Sequence, residues 1–466
     1  MALFARYTVW PERMAHAVLD DTAVAAGRQM IAGAIRASRA LTGYSLLTGL
    51  GLLLGFVREL MVASTFGLSP QLDVFVAVMT VQLFFGAQIG NALETAFISR
   101  IAGRSETGAV FHSVKPAVYG LLCVNAGVVL CLWGGGAWLL EGLFPRFDAG
   151  QQVLATQTLH IFLLPIVCAS TAGLLRAALS VMGAFVPGFM AGSVVSVCTI
   201  ISIIFFSSAL GIDALTVGVA VGNLAVLGFF LGRLALLTHG AGASTMKASP
   251  ALKPDGWFTL WGAAATVLLG ELVYAGVGVT ERSLASWLPA GSLAAFFYAS
   301  TIVSVPLSLV VVPLTTMMFP RMVDAFGRDG RAGVEQLRTH GLLLVMASVA
   351  VLLIVIPFAQ TIVETVFMRG RFSAEHARLT ASILSVTVIA LPFMSLSRLV
   401  RNASYAVSDY RAPVAGMGAQ VISLGGLGLL FAPRFGAQGL AAAMVAGEAA
   451  ALLTMGLILH MRLRAI

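Results

Sequence analysis

Runs of about twenty or more apolar residues recur along this chain, and they constrain its fold more than any other feature. A helix of about that length crosses a ~30 Å hydrocarbon core, where every backbone N–H and C=O must be satisfied inside the protein. Twelve such runs can be counted, at approximately 41–66, 72–98, 114–142, 153–181, 186–209, 213–237, 258–287, 291–318, 340–367, 378–403, 413–432 and 438–460. Charged residues make up only 10% of the 466, against about 25% in soluble domains. The expected fold is an all-α polytopic membrane protein with about twelve transmembrane helices.

The basic residues then set orientation. Arg100, Arg104, Lys115, Arg176, Arg233, Lys247, Lys253, Arg321, Arg328, Arg331, Arg338 and Arg411 fall on one set of connections. The opposite set is sparse, with Arg146 and Arg434, and with Arg369 and Arg371 as the exception. The positive-inside rule places both termini in the cytoplasm. The net charge of +8 is thus a topology signal, and no nucleic-acid partner follows from it. Residues 1–40 lack an apolar signal core and are expected to form a cytoplasmic tail rather than a cleaved leader. The polar stretch 240–257, with Gly240, Pro250, Pro254 and Gly256, is expected to be a cytoplasmic linker. It divides an N-lobe, 41–239, from a C-lobe, 258–466, each with six spans. A shift of 222 positions superposes Val57–Ala77 on Val279–Ala299 without a gap, placing Glu59 on Glu281 and Phe75 on Phe297. This suggests a duplicated half, as in many transporters.

Several charges lie inside the apolar runs, where each costs roughly 2.5–3.5 kcal/mol on insertion scales and usually marks a pathway. Arg58 and Glu59 sit together in the first span, and Asp73 opens the second. Gln88, Asn91 and Glu94 share a helical face, as do Glu271 and Arg282, eleven residues apart. Glu281 falls beside Arg282, and Glu448 lies among alanines in the last span. Arg398 and Arg401 read as topology anchors. A central cavity between the lobes would collect these groups: Arg58, Glu59, Asp73, Gln88, Asn91, Glu271, Glu281 and Arg282 as substrate-binding residues, with Glu448 and Glu271 for ion coupling. Adjacent helical residues diverge by about 100°, so Arg58 is expected to face Asp73 or an anionic cargo rather than Glu59. Guanidinium forks suit a phosphate. Cys123, Cys131, Cys168 and Cys198 read as buried apolar thiols. No metal, cofactor or catalytic signature appears, and the outer loops are short, so an enzyme is not expected.

Gly55-Phe56-Val57-Arg58-Glu59, then Phe66-Gly67 and Asp73-Val74-Phe75-Val76-Ala77, resembles the start of the MurJ/MviN flippases, in the multidrug/oligosaccharidyl-lipid/polysaccharide exporter superfamily. Ala285-Ser286 with Gly291-Ser292 and Tyr298-Ala299, Phe319-Pro320-Arg321, Val366-Phe367-Met368-Arg369-Gly370-Arg371-Phe372, and Tyr405-Ala406 through Pro413 resemble later family elements in the same order. The resemblance implies alternating access in a bacterial inner membrane, without a cofactor and driven by membrane potential or an ion gradient. It implies a polyprenyl-pyrophosphate-linked saccharide as cargo. It carries over roles to Arg58, Glu59 (usually Asp in the family) and Asp73. The family's span 8 arginine falls near Thr301 here, its span 2 basic residues fall near Gly86 and Ala87, and twelve spans are counted rather than fourteen. These departures favour an exopolysaccharide repeat unit as cargo, with a polysaccharide polymerase and glycosyltransferases as partners. The alternatives are lipid II for peptidoglycan synthesis and a cation-coupled drug or metabolite antiporter of the same superfamily.

Overall fold

In the computed structural model, residues 47–101, 107–240 and 254–464 are described. The expected tail 1–40 and most of the linker 240–257 lie outside them. Among the described residues eleven helices are long and apolar enough to cross a membrane. They are α1 Leu47–Phe66, α2 Pro70–Ser99, α3 Ser113–Leu143, α4 Ala149–Val181, α5 Met190–Leu210, α6 Asp213–His239, α7 Leu260–Ala285, α8 Ser292–Arg328, α9 Gly330–Phe367, α10 Ala374–Ala406 and α11 Arg411–Arg464.

The difference from twelve lies in α11. Its 54 residues would span about 81 Å as a straight rod at 1.5 Å per residue, far more than a bilayer. Gly436, at φ 60°, turns the chain back on itself. The two limbs then pack together: Gln420 bonds Glu448, and a Cβ on Gly416 would meet the Met455 side chain at 2.4 Å. The limbs correspond to the expected runs 413–432 and 438–460, so the chain makes twelve passes. Elsewhere the helices outrun the apolar runs. The helix containing α7 begins at Pro254, inside the expected linker. The helix leading into α9 begins at Gly330, with Asp329 accepting the Arg331 N–H at 3.1 Å. Cys123 and Cys131 are exposed, not buried as expected; Cys168 is buried.

Two π-turns interrupt the bundle, Leu83–Ala87 in α2 and Leu307–Val311 in α8. They lie 224 positions apart (307 − 83), close to the repeat offset of 222. Such turns slacken a helix and recur at functional sites.

One end of the bundle is sealed by contacts between the two halves of the chain. Asp73 is buried and accepts N–H bonds from Gly291 (2.5 Å) and Ala294 (2.7 Å) at the start of α8. A carboxylate is favoured there by the exposed amides and dipole of a helix N-terminus. The Arg371 N–H donates to the Ser64 carbonyl at 2.8 Å, the Ser283 hydroxyl to the Leu143 carbonyl at 2.5 Å, and the Leu68 N–H to His376 Nδ1 at 3.4 Å. Phe367 and Phe372 pack on buried Tyr298, with centroids 4.9 and 5.7 Å away. The segment Phe367–Phe372 is therefore a plug: two aromatic anchors flanking a glycine turn. Gly370 has φ 57°, and a Cβ there would lie 2.2 Å from the Ser64 carbonyl oxygen. Gly370→Ala is expected to destabilise the protein by about 1–3 kcal/mol from backbone strain alone. Thermal unfolding in detergent tests this against Gly134→Ala, where nothing lies within 4 Å; equal midpoints would refute it.

Candidate functional site

A cavity of about 430 Å³ lies between α2, α7, α8, α10 and α11. Five charged side chains line it: Glu281 and Arg282 from α7, Arg398 and Arg401 from α10, and Glu448 from the second limb of α11. Gln88, Gln420, Ser300, Ser304 and Thr387 add polar groups. Three arginines against two glutamates leave the wall formally positive by one.

Local contacts fix several of these groups. Arg398 Nε donates to Thr315 Oγ1 at 3.2 Å, and Asn402 Nδ2 donates to the Thr315 carbonyl at 3.3 Å. One backbone position on α8 thus sets the rotation of α10. Gln420 Nε2 donates to Glu448 Oε1 at 2.6 Å, tying the limbs of α11 together through the cavity wall. Arg401 lies within electrostatic reach of both Glu448 and Glu271. Gln88 Oε1 is buried and bonds to no protein group.

The expected residues separate into three groups. Gln88, Glu281, Arg282 and Glu448 line the cavity. Asn91 and Glu271 contact each other beside it. Asn91 also accepts a 3.4 Å bond from Arg176 Nη2, and Arg176 is ion-paired with Glu94. Arg58, Glu59 and Asp73 are not on the cavity wall. Arg58 pairs with Glu59 through both Nε, at 3.1 Å, and Nη2. The expected separation of these neighbours is corrected: Cα directions diverge, but the long arginine stem bends its fork back onto the carboxylate. Asp73 does not meet Arg58 either, because both its oxygens accept the α8 amides.

Two arginines on the wall fell outside the expected set. Arg398 and Arg401 read as anchors, yet both face the cavity. Their i, i+3 spacing inside an apolar run was the signal, because a stacked pair shares one helix face. The two family positions lacking a basic residue also have structural accounts. The Thr301 hydroxyl bonds its own helix, at the Phe297 carbonyl. A Cβ on Gly86 would meet Ile166 Cα at 3.0 Å, leaving no room for a long side chain.

A twelve-pass helical bundle, sealed at one end around a charged cavity, is the architecture of a membrane transporter rather than an enzyme. The solved structures agree on the fold. "Lipid II flippase MurJ, inward closed conformation" matches with TM-score 0.76 at 16% identity, covering 90% of this chain and 87% of that one. An inward-facing multidrug resistance MATE transporter matches with TM-score 0.74 at 14% identity, covering 89% and 95%. Among curated proteins, the probable lipid II flippase MurJ of Bdellovibrio bacteriovorus is 24% identical over 86% of this chain and 77% of its own length. That of Rhizobium meliloti is 25% identical over 86% and 76%. The family model for lipid II flippase MurJ matches residues 62–465, and the chain belongs to that family.

This overturns the exopolysaccharide expectation. That reading rested on arginines missing at Thr301, Gly86 and Ala87. The family match and the relatives, all described as lipid II flippases, stand against it. The fold supplies the physical reason: Arg282, Arg398 and Arg401 restore a cationic wall from other helices, so the missing arginines do not mark a different cargo.

Proposed function

We propose that the chain flips lipid II, the polyprenyl-pyrophosphate-linked peptidoglycan precursor, across the bacterial inner membrane by alternating access. One observation carries the reading: three arginines, Arg282, Arg398 and Arg401, converge on a cavity sealed at one end. A pyrophosphate offers several anionic oxygens, and guanidinium forks bind such groups bidentately. The sealed end carries the sparsely basic connections, so it faces outward and both termini face the cytoplasm. The cavity then receives cargo from the inner leaflet. The halves 41–239 and 258–466 act as the two moving lobes. The Asp73 contacts to Gly291 and Ala294 form the outer seal that must break. Glu448, held by Gln420, and Glu271, beside Asn91, are the acids placed to couple transport to an ion gradient or to the membrane potential. The Arg58–Glu59 pair serves α1 as a neutralised unit, which lowers its cost in the bilayer.

Expression of the chain in cells depleted of their own lipid II flippase tests this. Growth and outer-leaflet labelling of lipid II should return. A protein that reaches the membrane yet leaves lipid II unlabelled from outside would refute the reading.

A further inference from the structure

The charged cavity has no place for the hydrocarbon part of an amphiphilic cargo. A second hollow, of about 340 Å³, flanks the same stretch of α8. All twelve of its lining residues are apolar, and they come from α1, α8, α9 and α10. Its floor is buried: Val303 is 4% exposed, Leu384 0% and Val388 1%. Its rim is open: Val305 is 37% exposed and Ile354 60%. It is thus a groove with a floor and walls, unlike the flat apolar face that any membrane helix turns to lipid.

Its position links it to the cavity. Val303 lines both hollows, and Pro306 on the groove is followed by Leu307 on the cavity. One helix therefore divides a polar hollow from an apolar one. That helix is interrupted at the division by the π-turn Leu307–Val311, where its hydrogen-bond ladder is slackest. Phe56 of α1 forms part of the groove wall, so the groove straddles the seam between the two halves of the chain.

We infer that the groove holds the first isoprenoid units of the cargo's polyprenyl chain while the pyrophosphate sits in the cavity. The inference rests on the lipid II reading and adds a second, apolar subsite to it. The chain of a loaded cargo would pass α8 at the seam, with the head group on one side and hydrocarbon on the other. The two subsites together select a long prenyl chain joined to an anion.

Val305→Trp and Ile354→Trp test this, because both positions are on the open rim and an indole there fills the groove without disturbing its floor. Reconstituted wild-type and variant proteins would be compared on lipid II carrying its native long chain and on a short-chain analogue with the same head group. The variants should slow flipping of the long-chain form by about tenfold or more, the effect of leaving about two methylenes unburied. Flipping of the short-chain form should stay near wild type. Equal slowing of both forms, or slowing of neither, would overturn the groove. In a second arm, a photoreactive polyprenyl pyrophosphate should label peptides spanning 302–306 and 384–388 of the wild-type protein. Labelling of those peptides by a photoreactive phospholipid that polyprenyl phosphate does not displace would make the groove a site for bulk lipid and also overturn it. Failure of the wild-type protein to flip lipid II would remove the underlying reading as well, which separates that outcome from failure of the groove alone.

Discussion

Arg401→Ala is expected to lower lipid II flipping by about two orders of magnitude. Arg401 lines the cavity and lies within reach of the carboxylates of Glu271 and Glu448. Truncating one partner of a buried, hydrogen-bonded charge pair costs about 3–5 kcal/mol, because the other charge is left uncompensated. Here the loss is double: a cargo anion loses a guanidinium, and two acids lose a counter-charge. Arg401→Lys keeps the charge without the fork and should fall between the two. If the uncompensated acid matters, Glu448→Gln in the Arg401→Ala background should recover part of the loss. Initial flipping rates in proteoliposomes decide the matter. A rate within a few-fold of wild type for Arg401→Ala would remove the arginine from cargo binding.

Asp73→Ala is expected to open the sealed end. The carboxylate is 4% exposed and takes both the Gly291 and Ala294 amides. Its removal leaves two buried N–H groups without partners, at about 1–3 kcal/mol each. That is enough to shift a balance between sealed and open forms by tenfold or more. A cysteine at Ser292, which is 2% exposed, should then react with an impermeant maleimide from the outside. Asp73→Asn keeps one acceptor oxygen and should show a smaller gain in labelling. Unchanged labelling in Asp73→Ala would mean that the amides are not what holds the seal.

These residues show where reading the chain alone succeeds and where it stops. Gln88, Glu281, Arg282 and Glu448 were legible as cavity residues because a polar group in an apolar run must face something other than lipid. Asp73 was legible as a special residue, but its partner amides lie 218 and 221 positions away, and no local pattern names them. The Phe367–Phe372 motif was visible as a string of residues. Its purpose appeared only when Tyr298 and Ser64, from distant parts of the chain, closed around it. Arg398 and Arg401 were ambiguous for a related reason. A pair of arginines near a helix end serves equally well as an interfacial anchor or as a cavity wall. The choice depends on how the helix is rotated, which the contacts of Arg398 and Asn402 with Thr315 fix.

By itself the sequence determined that this chain crosses a membrane twelve times, which polar groups it carries inside, and which family its motifs resemble. Hydropathy is a property of each segment against lipid, and it needs no knowledge of the neighbours. The tertiary structure decided which charges meet. Arg58 turned to Glu59, Asp73 to the start of α8, and Arg398 and Arg401 to the cavity. Helix rotation and pairing come from packing between segments hundreds of residues apart, and that packing made this site cationic where the family's usual arginine positions are empty.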